Sequence, residues 1–149
     1  MSIENEQCDC KSLKVIRGRS ADWEEVAKDC VCFANGQGGR LLIGIEDGES
    51  LPPIEQEIDV SEVEKLRKRI GELTVNVQVL PRIVTVEGGG QYIELTIARS
   101  IGVSSTSDGR YYMRVADTCQ PVIGDDVLRL ANERPGMPWE NHDPTRFVP

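Results

Sequence analysis

Histidine is nearly absent from this chain, which contains a single one, His142. A Ser-His-Asp triad, a Cys-His pair and a histidine-rich metal site each require histidine within the folded body. His142 lies in the proline-rich stretch that follows Arg134, so these three kinds of site are excluded from the body. Any chemistry there has to come from carboxylates, lysine, arginine, tyrosine, cysteine or the backbone.

Long hydrophobic runs are also missing. No apolar segment approaches the roughly 20 residues that a membrane-spanning helix needs, and the acidic first four residues lack the basic-then-apolar pattern of a signal peptide. We therefore expect a cytoplasmic protein. A chain of 149 residues that is 39% hydrophobic and 28% charged is typical of one globular domain. We expect this domain to cover residues 1–134, with residues 135–149 as a linker or docked tail.

An excess of basic residues is lacking as well, because the formal net charge is −8. Nucleic-acid-binding proteins usually carry a basic footprint, although a local basic patch can dominate the field near it. The candidate nucleic-acid contacts are Lys11, Lys14, Arg17, Arg19, Arg40, Arg110, Tyr112 and Arg114. Tyr112 and Arg114 share a predicted strand, so one face could offer a ring and a guanidinium group together. The alternative role for each arginine is a surface salt bridge with the abundant acids.

The five cysteines are an odd number, which argues against a complete disulfide framework. A four-thiolate zinc site could be drawn from Cys8, Cys10, Cys30 and Cys32, but Cys-x-Cys is not the usual zinc spacing. Cys30 and Cys32 also fall on a predicted helix, where residues two apart point in different directions. We therefore expect Cys30 to be a core residue and the other cysteines to be free thiols.

Hydrophobic periodicity predicts three helices and several strands. Residues 22–35 form the clearest helix, capped by Asp22, and residues 59–70 form a second helix that ends at Gly71. Strands are predicted at 40–46, 75–79, 83–87, 92–98 and 110–115, a hairpin turn at 88–90, a flexible polar loop at 100–109 and a closing helix at 125–132. These elements predict an α/β (α+β) fold in which helices flank a mixed, largely antiparallel sheet.

The most informative segment is residues 33–47, which read Phe-Ala-Asn-Gly-Gln-Gly-Gly-Arg-Leu-Leu-Ile-Gly-Ile-Glu-Asp. A predicted helix ends in this segment, a glycine-rich turn follows, and a buried strand leads to a pair of carboxylates. The backbone N–H groups of Gly36, Gln37, Gly38 and Gly39 are candidates to cradle a phosphate. The alternative is a tight helix-to-strand turn that requires positive φ.

This segment resembles the signature of the Schlafen AlbA_2 family, A-F-A-N-T-x-G-G-x-L-x-I-G-V-x-D. The family's earlier E-F-K motif is matched by residues 9–11, Asp-Cys-Lys, and its late R-V-G motif by residues 114–116, Arg-Val-Ala. The resemblance covers about residues 4–133. The chain departs from the family at four positions, where the family has glutamate, an aromatic residue, threonine and glycine: Asp9, Cys10, Gly36 and Ala116.

The resemblance implies two functions. Bacterial members are described as DNA-binding domains, often at the N-terminus of longer regulators, which implies a transcriptional regulator with a further domain after Pro149. Animal Schlafen relatives include metal-dependent endoribonucleases that cut structured RNA with three acidic residues, and those positions correspond to Glu4, Asp9 and Asp47. The three carboxylates would hold Mg²⁺ or Mn²⁺, and Lys11 would neutralise the scissile phosphate.

We therefore expect a DNA-binding domain first and a Schlafen-type endoribonuclease that acts on structured RNA second. A protein-interaction or self-association module, with a homo-oligomer as its simplest form, is the third expectation. It rests on the acidic net charge and on Trp139 and Phe147, two large apolar residues in a segment too short to bury them.

Overall fold

The computed structural model describes residues 7–134, which form three α-helices and eight β-strands. The helices are α1 (Trp23–Asn35), α2 (Val60–Leu73) and α3 (Asp125–Glu133). The strands are β1 (Cys8–Lys11), β2 (Gly39–Ile43), β3 (Thr74–Val75), β4 (Val79–Thr85), β5 (Gln91–Ile97), β6 (Ser105–Thr106), β7 (Tyr111–Val115) and β8 (Thr118–Val122). Two short 3₁₀ turns, Leu13–Ile16 and Gly18–Ser20, lie between β1 and α1. The predicted mixed α+β architecture is confirmed.

Four strands form the main sheet in the order β1-β2-β5-β4. β1 runs parallel to β2, with Asp9 opposite Leu41, and the other two pairings are antiparallel. The predicted hairpin between β4 and β5 is confirmed, and its turn is closed by the Val86 N–H, which donates to the Gly90 carbonyl at 2.9 Å. β3 pairs with β6 and β7 pairs with β8 in two separate small sheets.

One face of the main sheet is covered by α1 and α2 and forms the core. The start of α1 is capped by the Asp22 carboxylate, which accepts from the Glu25 N–H, and α2 has a reciprocal capping box between Asp59 and Glu62. Alternate strand residues point toward these helices because side chains alternate across a strand. The buried residues of this face include Phe33, Leu41, Ile43, Leu66, Ile93, Leu95 and Ile97.

The other face of the sheet carries the alternate residues and is divided. Toward β1 it is buried, in a small cluster made by Cys8, Cys10, Leu42 and Ile45. Toward β4 it is exposed, and Leu80 retains 63% of its accessible surface there. Among the described residues, this face is therefore open to a ligand toward β4, and the Arg40 side chain on β2 is exposed beside the buried cluster.

Several predicted boundaries are wrong. α2 continues through Gly71 to Leu73, and a Cβ atom at Gly71 would point into open space. The strand predicted at 75–79 is divided between β3 and β4. β2 stops at Ile43, because Gly44 turns the chain with φ +119°. The loop predicted as flexible contains β6, with Ser104 and Ser105 buried. β8 was not predicted, since its five residues include a proline and polar residues that hide the strand pattern.

Two cysteines predicted to be free thiols form a disulfide. Cys32 on α1 and Cys119 on β8 are bonded, with their Cα atoms 5.8 Å apart. The bond spans 87 residues of sequence, and its second partner lies on the strand that was not predicted. Cys30 is fully buried, as expected. None of the described helices has both the length and the apolar character needed to cross a membrane.

Candidate nucleic-acid interface

The predicted cationic residues lie in three separate regions rather than on one surface. The first region is the end of β1 with the 3₁₀ turns after it, and it contains Lys11, Lys14, Arg17 and Arg19. The second region is Arg40 on β2, and the remaining residues lie on or beside β7. Each region has to be judged by what its side chains contact and by how much charge and how many donors those contacts leave exposed.

The Lys11 ammonium group is surrounded by carboxylates. Its Nζ atom lies 3.1 Å from Asp29, 3.4 Å from Glu25 and 3.9 Å from Asp9. Partial burial lowers the pKa of Lys11, but Asp29, followed by Asp9 and Glu25, raises it by more, so it lies above its ordinary value. Burial raises the pKa of Asp29 despite the opposing effect of Lys11. The charge of Lys11 is thus neutralised between β1 and α1.

Arg17 is also engaged within the fold. Its Nε and Nη2 atoms donate to the Glu62 carboxylate at 2.6 and 2.9 Å, and Nη2 also donates to the Glu57 carbonyl at 2.8 Å. The hydrogen bond from Arg17 lowers the pKa of Glu62. Lys14 and Arg19 lie on the same turns and are exposed. Of the four cations predicted in this region, Lys11 and Arg17 are therefore engaged by carboxylates within the fold, although Arg17 is itself exposed.

The expected ring-and-guanidinium surface on β7 is wrong. Tyr112 and Arg114 do share a face, but that face is turned toward α1. Arg114 is only 7% exposed, and its guanidinium carbon lies 4.5 Å from the centroid of the Phe33 ring. Tyr112 is half-buried beneath the Lys28 ammonium group, at 5.7 Å. The exposed Arg110 side chain is 3.4 Å from Asp108.

The glycine turn closes the C-terminus of α1. The Gly36 N–H donates to the Cys32 carbonyl at 3.0 Å, and the Gly38 N–H donates to the Phe33 carbonyl at 2.8 Å. These N–H groups satisfy helix carbonyls and are not presented to a phosphate, and a helix C-terminus carries partial negative charge that disfavours anions. Gly38 has φ +78°, and a Cβ at Gly39 would lie 2.5 Å from the Phe33 ring. The geometry matches the tight helix-to-strand turn.

Asn35 joins α1 to two later segments. Its Nδ2 atom donates to the carbonyls of Ser104 and Tyr112 at 2.8 Å each, and its Oδ1 atom accepts from the Ser104 N–H at 2.8 Å. The buried Arg134 guanidinium donates to the carbonyls of Asn35 and Gly36 and, at 2.8 Å, to that of Ser100. The Ala-Asn-Gly segment is thus a structural junction.

The three acidic residues expected to hold a metal are not assembled by the described residues. Asp9 lies on β1 opposite Leu41 and faces Lys11, whereas Asp47 is exposed in the turn beyond the end of β2. Glu4 lies outside the described residues. Within residues 7–134, no group of three or more histidine, cysteine, aspartate or glutamate side chains is arranged to hold a metal ion. The three-carboxylate site for Mg²⁺ or Mn²⁺ therefore stays a prediction, because one of its three residues is not among those that the structure describes.

The exposed half of the open sheet face carries a different arrangement. Glu94 on β5 is 8% exposed, and its carboxylate accepts from Arg40 Nη1 at 3.2 Å and from Arg82 Nε at 2.8 Å. The hydrogen bond from Arg82, with a smaller effect of Arg40, lowers the pKa of Glu94. The Arg40 and Arg82 side chains remain 53% and 66% exposed. One buried carboxylate therefore orients two exposed guanidinium groups.

A shallow groove of about 450 Å³ continues from Arg40 along the ends of β2 and β5. It is lined by the glycine turn on one side and by residues 96–99 on the other, so that Arg40 and Arg99 share it. Arg99 also lowers the pKa of the buried Arg134, after the larger effect of burial. We call Arg40, Arg82, Arg99 and the orienting Glu94 the arginine face.

Comparison with known families agrees with the signature in residues 33–47. The family model described as Schlafen, AlbA_2 matches residues 4–123. The chain belongs to the Schlafen AlbA_2 family. Membership in it marks the chain as a nucleic-acid-related domain.

A solved structure supports the fold of this AlbA_2 domain. The crystal structure of the DIP2311 protein from Corynebacterium diphtheriae is similar, with a TM-score of 0.55 and 24% identity. The match covers 78% of this chain but only 25% of that protein, so the AlbA_2 domain spans about a quarter of its length. At this identity the likeness concerns the fold alone. None of the curated proteins matches the chain.

The structure shows why the AlbA_2 signature has glycine at one of the positions where this chain departs from it. Ala116 stands where the family has glycine, and it adopts φ +56° in the turn between β7 and β8. This left-handed conformation suits glycine, because a Cβ atom is strained there.

Most of the arginine face was missed by sequence reasoning, which identified only Arg40. The signal that could have identified more of it is the hairpin turn at 88–90, which sets the register of β4 against β5 and places Arg82 opposite Glu94. Strand alternation then puts this pair on the face opposite the core. A register argument of this kind would have found Arg82 and Glu94, but not Arg99, which follows the end of β5.

Proposed function

We propose that this AlbA_2 domain binds nucleic acid, with DNA as the expected ligand, through the arginine face. The observation that carries the proposal is the pair of exposed guanidinium groups oriented by the buried Glu94 carboxylate. Phosphate oxygens are the ligands that match such groups best, because guanidinium donors form charge-assisted and often bidentate bonds to them.

The orientation by Glu94 matters because each guanidinium group has five N–H donors. The bond to Glu94 engages one nitrogen of Arg40 and one of Arg82. Donors on the other nitrogens can meet a phosphate without the side chains first losing their rotamer freedom. Pre-organisation of this kind raises affinity where exposed lysines would have to be immobilised.

Local charge also supports the proposal despite the net charge of −8. The arginine face brings Arg40 and Arg82 together around a single carboxylate and adds Arg99 along the groove beside Arg40, whereas Lys11 and Arg17 are neutralised elsewhere. Contacts to phosphates give affinity that depends on salt and reads little sequence. The same proposal includes a role as one module of a longer bacterial regulator, which agrees with a domain that spans a quarter of the matched protein.

The test compares two double variants by fluorescence anisotropy with a labelled DNA duplex at two salt concentrations. In Arg40→Ala/Arg82→Ala we expect affinity to fall at least tenfold and the slope of log affinity against log salt to decrease by about 2, from roughly 0.9 per phosphate contact. Adding Glu94→Gln removes the carboxylate that the double variant leaves without partners, and we expect the same loss.

The matched control is Arg110→Ala/Arg129→Ala, which removes the same charge from two exposed arginines that pair with Asp108 and Asp126. We expect its affinity to stay within about twofold of the parent. An equal loss in both double variants would show that only total charge matters. Unchanged binding by the Arg40/Arg82 variant would remove the arginine face from the interface.

A further inference from the structure

The β7–β8 hairpin is attached to the rest of the domain through α1. Its two strands pair only with each other and do not join the main sheet. Its contacts with α1 include these three: the Asn35 side chain donates to the Tyr112 carbonyl, Arg114 stacks over Phe33, and Cys119 is bonded to Cys32. The disulfide is the covalent one of these three contacts.

The two cysteine residues of this bond differ in exposure. Cys32 is fully buried, whereas Cys119 is half-buried and lies on the outer strand of the hairpin. The Cys119 Sγ atom is also 3.7 Å from the Lys28 carbonyl oxygen, which can accept a hydrogen bond from the thiol once the bond is reduced. The half-buried Cys119 is therefore the more exposed end of the bond, and a polar group lies beside it that can pair with the reduced thiol.

We propose that Cys32–Cys119 is a redox-sensitive tether that fixes the hairpin to α1. A thiolate of a dithiol reductant attacks the Cys119 sulfur, and the bond to Cys32 breaks with its electron pair on Cys32, which takes up a proton. The second thiol of the reductant then displaces Cys119 as a thiol and leaves the reductant as a disulfide. One molecule of glutathione disulfide reverses the reaction: a cysteine thiolate attacks it and releases one glutathione, and the other cysteine thiolate then attacks the mixed disulfide and releases the second.

Opening the tether also changes the surroundings of the glycine turn. Met113 and Arg114 on β7 form one wall of a small cavity whose other wall is Phe33 and residues 36–38. A hairpin released from α1 withdraws this wall, while β4 and β5 remain paired in the main sheet. The inference concerns the hairpin and holds whether or not the arginine face binds nucleic acid.

Hydrogen–deuterium exchange tests the tether on the full chain. The oxidised protein, prepared with glutathione disulfide, is compared with protein reduced by dithiothreitol and with Cys119→Ser, which cannot form the bond. We expect the amides of residues 111–122 to exchange at least tenfold faster in both reduced states, with smaller acceleration at residues 36–38. Amides of β4 and β5 should change less than twofold.

Two controls make the result decisive. Cys30→Ala alters the neighbouring buried cysteine and leaves the pair intact, so its hairpin should respond to reduction as the parent does. Peptide mapping of the oxidised protein should recover the Cys32 and Cys119 peptides as one linked species that separates on reduction. Failure to find this linked species, or equal hairpin exchange in the oxidised and reduced protein, would overturn the proposal.

Discussion

Two charged clusters lie on opposite faces of the main sheet and are built with reversed signs. On the core face, the Lys11 ammonium group is the central charge, and Asp9, Glu25 and Asp29 surround it. On the open face, the Glu94 carboxylate is the central charge, between Arg40 and Arg82. In both clusters the charge of the central group is balanced by its partners. The role of each cluster therefore depends on whether its outer groups are exposed.

This difference shows how a chain with a net charge of −8 can still present a basic surface. Lys11 is 23% exposed and Asp29 is 4% exposed, so that cluster stabilises the contact between β1 and α1. The two arginines on the open face keep more than half of their surface and can reach a ligand. Breaking the first cluster should therefore affect stability, and breaking the second should affect binding.

The largest effect is expected from Lys11→Met, which keeps the length of the side chain and leaves Asp29 buried without its cation. Removing one partner of a buried ion pair is costly, and we expect a loss of about 2–4 kcal/mol in the free energy of unfolding at pH 7, measured by urea denaturation. The control Lys14→Met makes the same substitution at an exposed site and should change stability by about 0.5 kcal/mol or less. Equal effects of the two changes would contradict a structural role for Lys11.

The second prediction concerns pH. Because the pKa of folded Asp29 is raised above its ordinary value, the folded state holds a proton more tightly than the unfolded state, and stability falls as pH rises between the two pKa values. Lys11→Met removes the largest effect that opposes this rise, so the pKa of folded Asp29 rises further. The pH range over which stability falls then extends to higher pH. The stability deficit of Lys11→Met should shrink by about 1–2 kcal/mol between pH 7 and pH 5. A deficit that is constant over this range would exclude Asp29 as its source.

A smaller effect separates charge from geometry on the open face. Arg82→Lys keeps the positive charge but loses the planar fork that bonds to Glu94 and to phosphate. We expect DNA affinity to fall about threefold for Arg82→Lys and further for Arg82→Ala, both measured by anisotropy. If lysine restored full affinity, charge alone would explain binding, and orientation by Glu94 would be unnecessary.

The smallest effect is expected from Arg17→Ala. The pairing of Arg17 with Glu62 is close to the surface, where an ion pair contributes about 1 kcal/mol or less, and its donors are already engaged within the fold. Affinity for DNA should therefore stay within about twofold of the parent. A loss as large as that of Arg82→Ala would return the turns after β1 to the interface.

Local features of the fold could be predicted from the sequence. The cap at Asp22, the helix that follows it and the hairpin at 88–90 depend on contacts between residues a few positions apart, and all three are confirmed. The glycine turn was recognised as well, since its need for positive φ is a local property. The role of its N–H groups was left open, because it depends on where the last carbonyls of α1 point.

The candidate site could be predicted only in part, because sequence shows charge but not pairing. Arg40 and Arg114 both look like phosphate contacts in the sequence, yet Arg40 is exposed beside Glu94 and Arg114 is buried over Phe33. Lys11 and Arg17 were likewise predicted as contacts before their carboxylate partners were known. Apart from Asp9, which is two positions from Lys11, these partners lie 14 to 45 positions away in the sequence.

Spacing along the chain was enough to predict the three helices, most of the strands and the family signature, because these depend on residues that are close in sequence. Tertiary structure alone decided which cations remain accessible, and it alone joined Cys32 to Cys119 across 87 residues. The physical reason is that an ion pair or a disulfide forms between groups that the packed sheet and helices bring within a few ångströms. The sequence does not record that distance.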